Sequence, residues 1–285
     1  MEFSLTGKTI IVTGATNGIG LVTATELSRL GGQVTIISRN AAKCASVAAR
    51  ISTETGNPVE WITADLSTLD GIRNAAIKFK ERHTHLNILV NNAGAFFFKR
   101  QITPDKLERT FALNHLSYFL LTNLLLENLK ASAPARIVNV SSFAHRSVRR
   151  LDFNNLQGEK FYFCWTAYSH SKLCNLLFSY ELARRLAGTG VTVNAADPGY
   201  VQTGFALNNG WLFHEGGRFF ASLFAKKPAD GASTSIYLAA RPEVKDVTGK
   251  YFNKCKEVWS SGLSHDEPLA KKLWQVSLEM TGLPD

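Results

Sequence analysis

A tyrosine and a lysine four residues apart, Tyr168 and Lys172, lie in a stretch that reads as helix, so both side chains share one face. An ammonium beside a phenol favours the phenolate and lowers its pKa, and a tyrosine tuned in this way exchanges a proton with an alcohol or carbonyl oxygen near neutral pH. Untuned, at a pKa of about 10, it would be a poor acid or base there. An isolated pair of this spacing is usually a core aromatic and a solvated lysine, so the weight comes from what precedes it. Thr13-Gly14-Ala15-Thr16-Asn17-Gly18-Ile19-Gly20 sets three glycines between a β-branched run and a helical pattern over Leu21 to Leu30. Glycine meets the dihedrals of a tight strand-to-helix turn and lets a pyrophosphate approach the N–H groups of a helix N-terminus. The second strand then ends in Ser38-Arg39, where an Asp or Glu would bind a free ribose 2′-hydroxyl. A hydroxyl and a guanidinium suit a 2′-phosphate instead, so NADP(H) is the expected cofactor, with NAD(H) as the alternative.

These groups need a frame, and the hydrophobic pattern supplies one. Short β-branched runs alternate with longer amphipathic stretches, the mark of repeated βαβ units around a parallel sheet. Candidate strands are Thr9 to Thr13, Val34 to Ser38, Val59 to Ala64, Ile88 to Val90, Arg136 to Ser141, Val191 to Ala195 and Lys250 to Phe252. Strands this apolar belong in a sheet covered on both faces. The chain of 285 residues carries no Pro/Ser-rich linker, low-complexity tract or repeat. One α/β domain over residues 1–285 is therefore expected, with a variable segment at 200–228.

With these motifs in order, the sequence resembles the short-chain dehydrogenase/reductase family. Gly14-x-x-x-Gly18-x-Gly20 is similar to its glycine signature, and Asn91-Asn92-Ala93-Gly94 to its N-N-A-G motif. The likeness runs on through Asp65, Asn114, Ser142, Tyr168-x-x-x-Lys172 and Pro198-Gly199. The run Ala167 to Asn175, with Glu181 to Leu186, looks like the branch of retinol dehydrogenases and WW-domain oxidoreductases. The resemblance implies a Rossmann fold, doubly wound, with a mostly parallel sheet of about seven strands. It implies four catalytic residues: Tyr168 as acid/base, Lys172 also on the nicotinamide ribose, Ser142 orienting the substrate oxygen, and Asn114 holding a water chain. Ser141 is the weaker choice of the Ser141-Ser142 pair. Cofactor contacts are implied at Gly14, Thr16, Asn17, Gly18, Ile19, Gly20, Ser38 and Arg39. Further along they fall at Asp65 and Leu66 near adenine, at Asn91, Ala93 and Gly94 beside the adenosine ribose, and at Pro198, Gly199, Val201 and Thr203 near the carboxamide. Asp197 departs from the pattern, since this branch commonly has His before the Pro-Gly.

Composition narrows the function. A formal charge of +9 is dispersed along the chain, which reads as a basic surface and not as a nucleic-acid footprint. Cys44, Cys164, Cys174 and Cys255 form no C-x-x-C pair, and the seven His residues make no ligand cluster, so free thiols and no metal site are expected. No apolar run approaches the ~20 residues of a membrane span, and the N-terminus lacks a secretory pattern, which points to the cytoplasm. Aromatic residues gather in three groups: Phe96, Phe97 and Phe98; Phe161, Tyr162, Phe163 and Trp165; and Trp211, Phe213, Phe219, Phe220 and Phe224. A pocket lined this way takes a lipophilic aldehyde, ketone or alcohol, with the segment Trp211 to Lys227 as a lid. Two other readings are a reductase of a conjugated C=C bond, similar to protochlorophyllide reductases, and a non-catalytic NADP(H) sensor on the same fold. A homo-oligomer is the expected assembly.

Overall fold

The computed structural model describes residues 4–199 and 228–284. Chain order is β1 (Thr9–Thr13), α1 (Gly18–Arg29), β2 (Gln33–Ser38), α2 (Ala41–Thr55), β3 (Val59–Thr63), α3 (Leu69–Lys80) and β4 (Ile88–Asn91). Then α4 (Arg109–Phe111) passes through a π-helical turn, Ala112–Leu116, into α5 (Ser117–Leu124) and α6 (Leu126–Lys130). The second half holds β5 (Ala135–Val140), α7 (Cys164–Arg185), β6 (Val191–Asp197), α8 (Pro228–Ala240), β7 (Lys250–Asn253), β8 (Lys256–Glu257) and α9 (Glu267–Thr281).

The sheet order is β3-β2-β1-β4-β5-β6-β7-β8, parallel throughout except for the antiparallel pair β7 and β8. The seven expected strands fall within one or two residues of their sequence bounds; the eighth, Lys256–Glu257, corrects the count of about seven. It is two exposed charged residues, with no apolar alternation to mark it in the sequence.

Period-two alternation splits the core between the sheet's two faces. Ile10, Val12, Val34, Ile36, Ile88 and Val90 pack with Leu27 of α1, Val47 and Ile51 of α2 and Leu238 of α8. Ile11, Ile37, Leu89 and Ile137 face the other way, onto Phe79 of α3, Phe119 of α5, Phe178 of α7 and Trp274 of α9. The chain order reverses on the two sides of β1 and β4, and their carboxyl ends open the crevice where ligands of such folds bind. Caps fix where the helices start: Asn40 accepts from Lys43 N at 2.9 Å, Thr68 from Gly71 N at 3.1 Å and Asp266 from Leu269 N at 2.9 Å.

Candidate active site

A cleft of about 580 Å³ opens at the carboxyl ends of the central strands. Gly14, Thr16, Asn17, Gly18, Ile19, Gly20, Ser38, Arg39, Asp65, Leu66, Ala93, Gly94, Ser142, Tyr168, Lys172, Pro198 and Gly199 all line it. Gly14 has φ +67°, and a Cβ there would stand 2.8 Å from Ala93 Cα; one at Gly20 would stand 2.6 Å from Gly14 O. Both glycines are required by this close approach of backbone to backbone. Gly18 and Gly20 fall in the first turn of α1, so the open N–H groups of that helix face the cleft. Thr16 and Ser38 join by their hydroxyls at 3.0 Å across the turn. Asp65 turns one carboxylate oxygen onto Ser67, accepting from its N–H at 2.9 Å and its hydroxyl at 2.7 Å.

One expected cofactor contact lies elsewhere. Asn91 does not line the cleft: it is fully buried, and its amide donates to Thr122 Oγ1 at 3.0 Å and to Asn139 Oδ1 at 2.9 Å. Strand alternation sends its neighbour Asn92 the other way, into the cleft lining. There Asn92 donates to Thr13 O at 2.8 Å and braces the glycine turn. Asn114 lies in the π-helical turn, fully buried behind the cleft wall. Its Oδ1 accepts from Ala95 N at 2.9 Å, and its Nδ2 donates to Ala95 O and to Ser171 Oγ, each at 3.0 Å. These bonds tie the cleft wall to α7. Val201 and Thr203 lie outside the described residues, as do the aromatic residues from Trp211 to Phe224 and the lid to Lys227.

Tyr168 and Lys172 occupy one face of α7, and burial dominates the charge state of both. The Tyr168 phenol is pushed well above its ordinary value by desolvation, with a hydrogen bond to Ser142 acting the other way and the charge of Asp197 adding to the rise. Burial thus acts against the lowering that a neighbouring ammonium is expected to bring. Lys172 is pushed down to about 7 by desolvation, opposed by Asp197. Its Nζ donates to Val140 O at 3.1 Å and stands 5.6 Å from the Tyr168 ring centroid and 5.8 Å from that of Tyr118. Ser141, the weaker candidate, donates its hydroxyl to Lys172 O at 2.8 Å, whereas Ser142 faces Tyr168.

The aromatic groups divide. Phe96 stands 5.5 Å from the Tyr168 ring and 5.4 Å from Phe98, and Trp165 stands 6.3 Å from Tyr168. Phe161 and Phe163 are exposed, as is Phe143, which sequence reasoning passed over. Phe97 instead is buried, and Tyr162 donates to its carbonyl at 2.9 Å. A second oversight is Lys43 of α2, which lines the cleft beside Ser38 and Arg39. A cation in the first turn of a helix opposes the macrodipole, and that placement was the signal for a nearby anion.

A glycine cradle at a helix N-terminus beside a half-buried Ser and a buried Tyr and Lys defines a dinucleotide-binding oxidoreductase site. The comparisons with known proteins agree with this class. Residues 8–210 match the family model described as short chain dehydrogenase. Retinol dehydrogenase 11 of Homo sapiens is 44% identical over 98% of this chain and 87% of its own length. Retinol dehydrogenase 13 of Homo sapiens is 43% identical over 98% and 86%. Among solved structures, the Pseudomonas aeruginosa RhlG/NADP active-site complex is 29% identical, with a TM-score of 0.72 over 92% of this chain and 98% of that one. An uncharacterized protein from Mycobacterium Paratuberculosis is 31% identical, with a TM-score of 0.80 over 99% and 97%. The chain belongs to the short-chain dehydrogenase/reductase family, oxidoreductases that bind nicotinamide cofactors. Among the described residues no helix is long and apolar enough to cross a membrane.

Proposed function

We propose that this protein is an NADP(H)-dependent oxidoreductase interconverting a lipophilic aldehyde or ketone and its alcohol, with Tyr168 moving the proton. The observation that carries the reading is the grouping of Ser142, Tyr168 and Lys172 in the same cleft that the glycine turn lines. The glycine turn fits a dinucleotide, since Gly14, Gly18 and Gly20 line the cleft at the N-terminus of α1, where open N–H groups suit a pyrophosphate. Gly14, Gly18 and Gly20 would hold the pyrophosphate and Lys172 the nicotinamide ribose. The nicotinamide supplies or accepts the hydride.

The chain's own residues handle the proton. Ser142 and Tyr168 converge on one oxygen of the substrate, Ser142 orienting it and Tyr168 giving or taking its proton. The Ser142 hydrogen bond acts against the rise that burial brings to the Tyr168 phenol, and the same hydroxyl gives the proton in reduction and takes it in oxidation. Ser38, Arg39 and Lys43 supply a hydroxyl and two cations for a 2′-phosphate, with no carboxylate at the end of β2 to oppose it. RhlG, a relative of similar fold, is solved with NADP, which supports the same preference. Phe96, Phe98 and Trp165 beside Tyr168 support a lipophilic substrate, as do relatives named for acting on retinol.

Tyr168→Phe tests the reading, because it removes one hydroxyl and leaves the ring packed. Consumption of NADPH on a panel of lipophilic aldehydes and ketones is expected to fall by about 10² to 10⁴, while NADPH binding, read by nicotinamide fluorescence, stays within about twofold. Full turnover in the variant would overturn the assignment of the proton. Binding of NADPH without turnover of any carbonyl by the unaltered protein would favour a sensor.

A further inference from the structure

Behind the acid/base pair lies a carboxylate that the proposed chemistry does not use. Asp197 ends β6, is 3% exposed, and forms no ion pair among the described residues. Its Oδ1 accepts from Gly199 N at 2.8 Å and its Oδ2 from the Tyr251 hydroxyl at 2.8 Å. The first bond pins the Pro198-Gly199 turn, which lines the cofactor cleft.

The groups facing this carboxylate come from three elements. Lys172 of α7 reaches this end of β6, since its Nζ donates to Val140 O at 3.1 Å and Val140 pairs across the sheet with Ala196, the neighbour of Asp197; the carboxylate's charge acts on both Lys172 and Tyr168. Tyr251 of β7 donates to it, and His145, in the turn after β5, feels it from beside Tyr251, 5.2 Å away ring to ring. His145 accepts from Ser261 N through Nε2 at 3.1 Å, so its proton is on Nδ1, 2.6 Å from Ser142 O. Burial keeps that imidazole neutral, and Tyr118, on the far side of Lys172, is a neutral phenol. Arg146 acts on Tyr251 but makes no ion pair with Asp197. Lys172 is therefore the buried cation that answers this buried anion, and a buried carboxylate without such an answer is costly.

We propose that Asp197 is a positioning residue for the carbonyl and alcohol chemistry: it braces the Pro198-Gly199 turn and supplies the negative charge that holds Lys172 as an ammonium. The inference rests on the function proposed above only in its kinetic consequence. Removing a negative charge stabilises neutral lysine and phenolate alike, so the titration of both Lys172 and Tyr168 moves to lower pH.

The test compares the unaltered protein with Asp197→Asn and Asp197→Glu. Asn keeps the shape, with an oxygen for Gly199 N and an amide for Tyr251, but not the charge; Glu keeps the charge. Two pH profiles are measured, NADPH affinity by fluorescence and kcat/KM on a reactive carbonyl. The Asn variant is expected to shift both midpoints down by about one unit, the order for a unit charge several Å away at an effective dielectric of about 20. The Glu variant is expected to return them towards the original. Asn midpoints coinciding with the original, with affinity uniformly weaker, would reduce Asp197 to a brace and overturn the proposal. If no carbonyl is turned over, the functional reading fails while the binding profile still decides the role of Asp197. Should the Asn variant not fold, Tyr251→Phe strips one donor from a charge that remains, so its binding midpoint is expected not to fall; a fall would overturn the proposal.

Discussion

In the proposed reading, cofactor choice rests on a few side chains around one phosphate. Ser38, Arg39 and Lys43 line the same end of the cleft, and Thr16 fixes the Ser38 hydroxyl across the turn. Ser38→Asp places a carboxylate where the 2′-phosphate is expected, and its charge repels that phosphate while offering a partner to a free 2′-hydroxyl. The ratio of NADPH to NADH affinity is expected to fall at least tenfold, read by separate fluorescence titrations; an unchanged ratio would mean that the phosphate lies elsewhere. At this scale Ser38, Arg39 and the glycines were legible because their chemistry follows from residue type. Asn91 and Asn92 were not separable, since the two amides differ only in which face of β4 each meets. Lys43 lay hidden four residues past Arg39, where a helix brings it back to the cleft. The charge states of Tyr168 and Lys172 were also out of reach, because burial, absent from any motif, outweighs their mutual effect.

The π-helical turn at Ala112–Leu116 shows what a single element does for the site. It widens the helix by one residue, turning Asn114 onto the cleft wall and His115 into the aromatic core against Phe111, Phe119 and Phe178. His115 is fully buried, bonded through Nε2 to Ser277 Oγ at 3.0 Å, and desolvation lowers its pKa to about 3. Folded His115 thus stays neutral while the unfolded side chain takes a proton below a pH of about 6.5. Stability is therefore lost as pH falls through that window, at up to about 1.4 kcal/mol per unit from this residue. Urea unfolding at pH 7.5, 6.5 and 5.5 is expected to show this slope, and His115→Gln to flatten it by about that amount; equal slopes would mean the ring is solvated. Seven of the eight strands were legible at this scale because they carry apolar residues, on both faces in β1 as Ile10 and Ile11 show. The π turn was not, since one extra residue in a helix alters no composition and no cap.

For the molecule as a whole, one sheet runs from β3 to β8, and the large cluster on each of its faces draws residues from both halves of the chain. We propose that residues 1–285 form a single folding unit, as the lack of a linker suggests. A thermal scan is expected to show one cooperative transition, and NADPH at about 100 times its Kd to raise the stability by about 2.7 kcal/mol, moving the midpoint up by several °C. Two transitions, only one of them moved by NADPH, would divide the chain. The dispersed charge of +9 gave little to read at this scale, whereas the alternation of strand and helix foretold the sheet order's two-sided cover. The clamp of Asn114 on Ala95 has a consequence on another timescale. Ala95 belongs to no strand or helix, yet its N–H is bonded to a side chain with no exposed surface. In deuterated solvent this loop amide is expected to exchange as slowly as those of β1 and β4, because releasing it requires α7 and the central strands to come apart together.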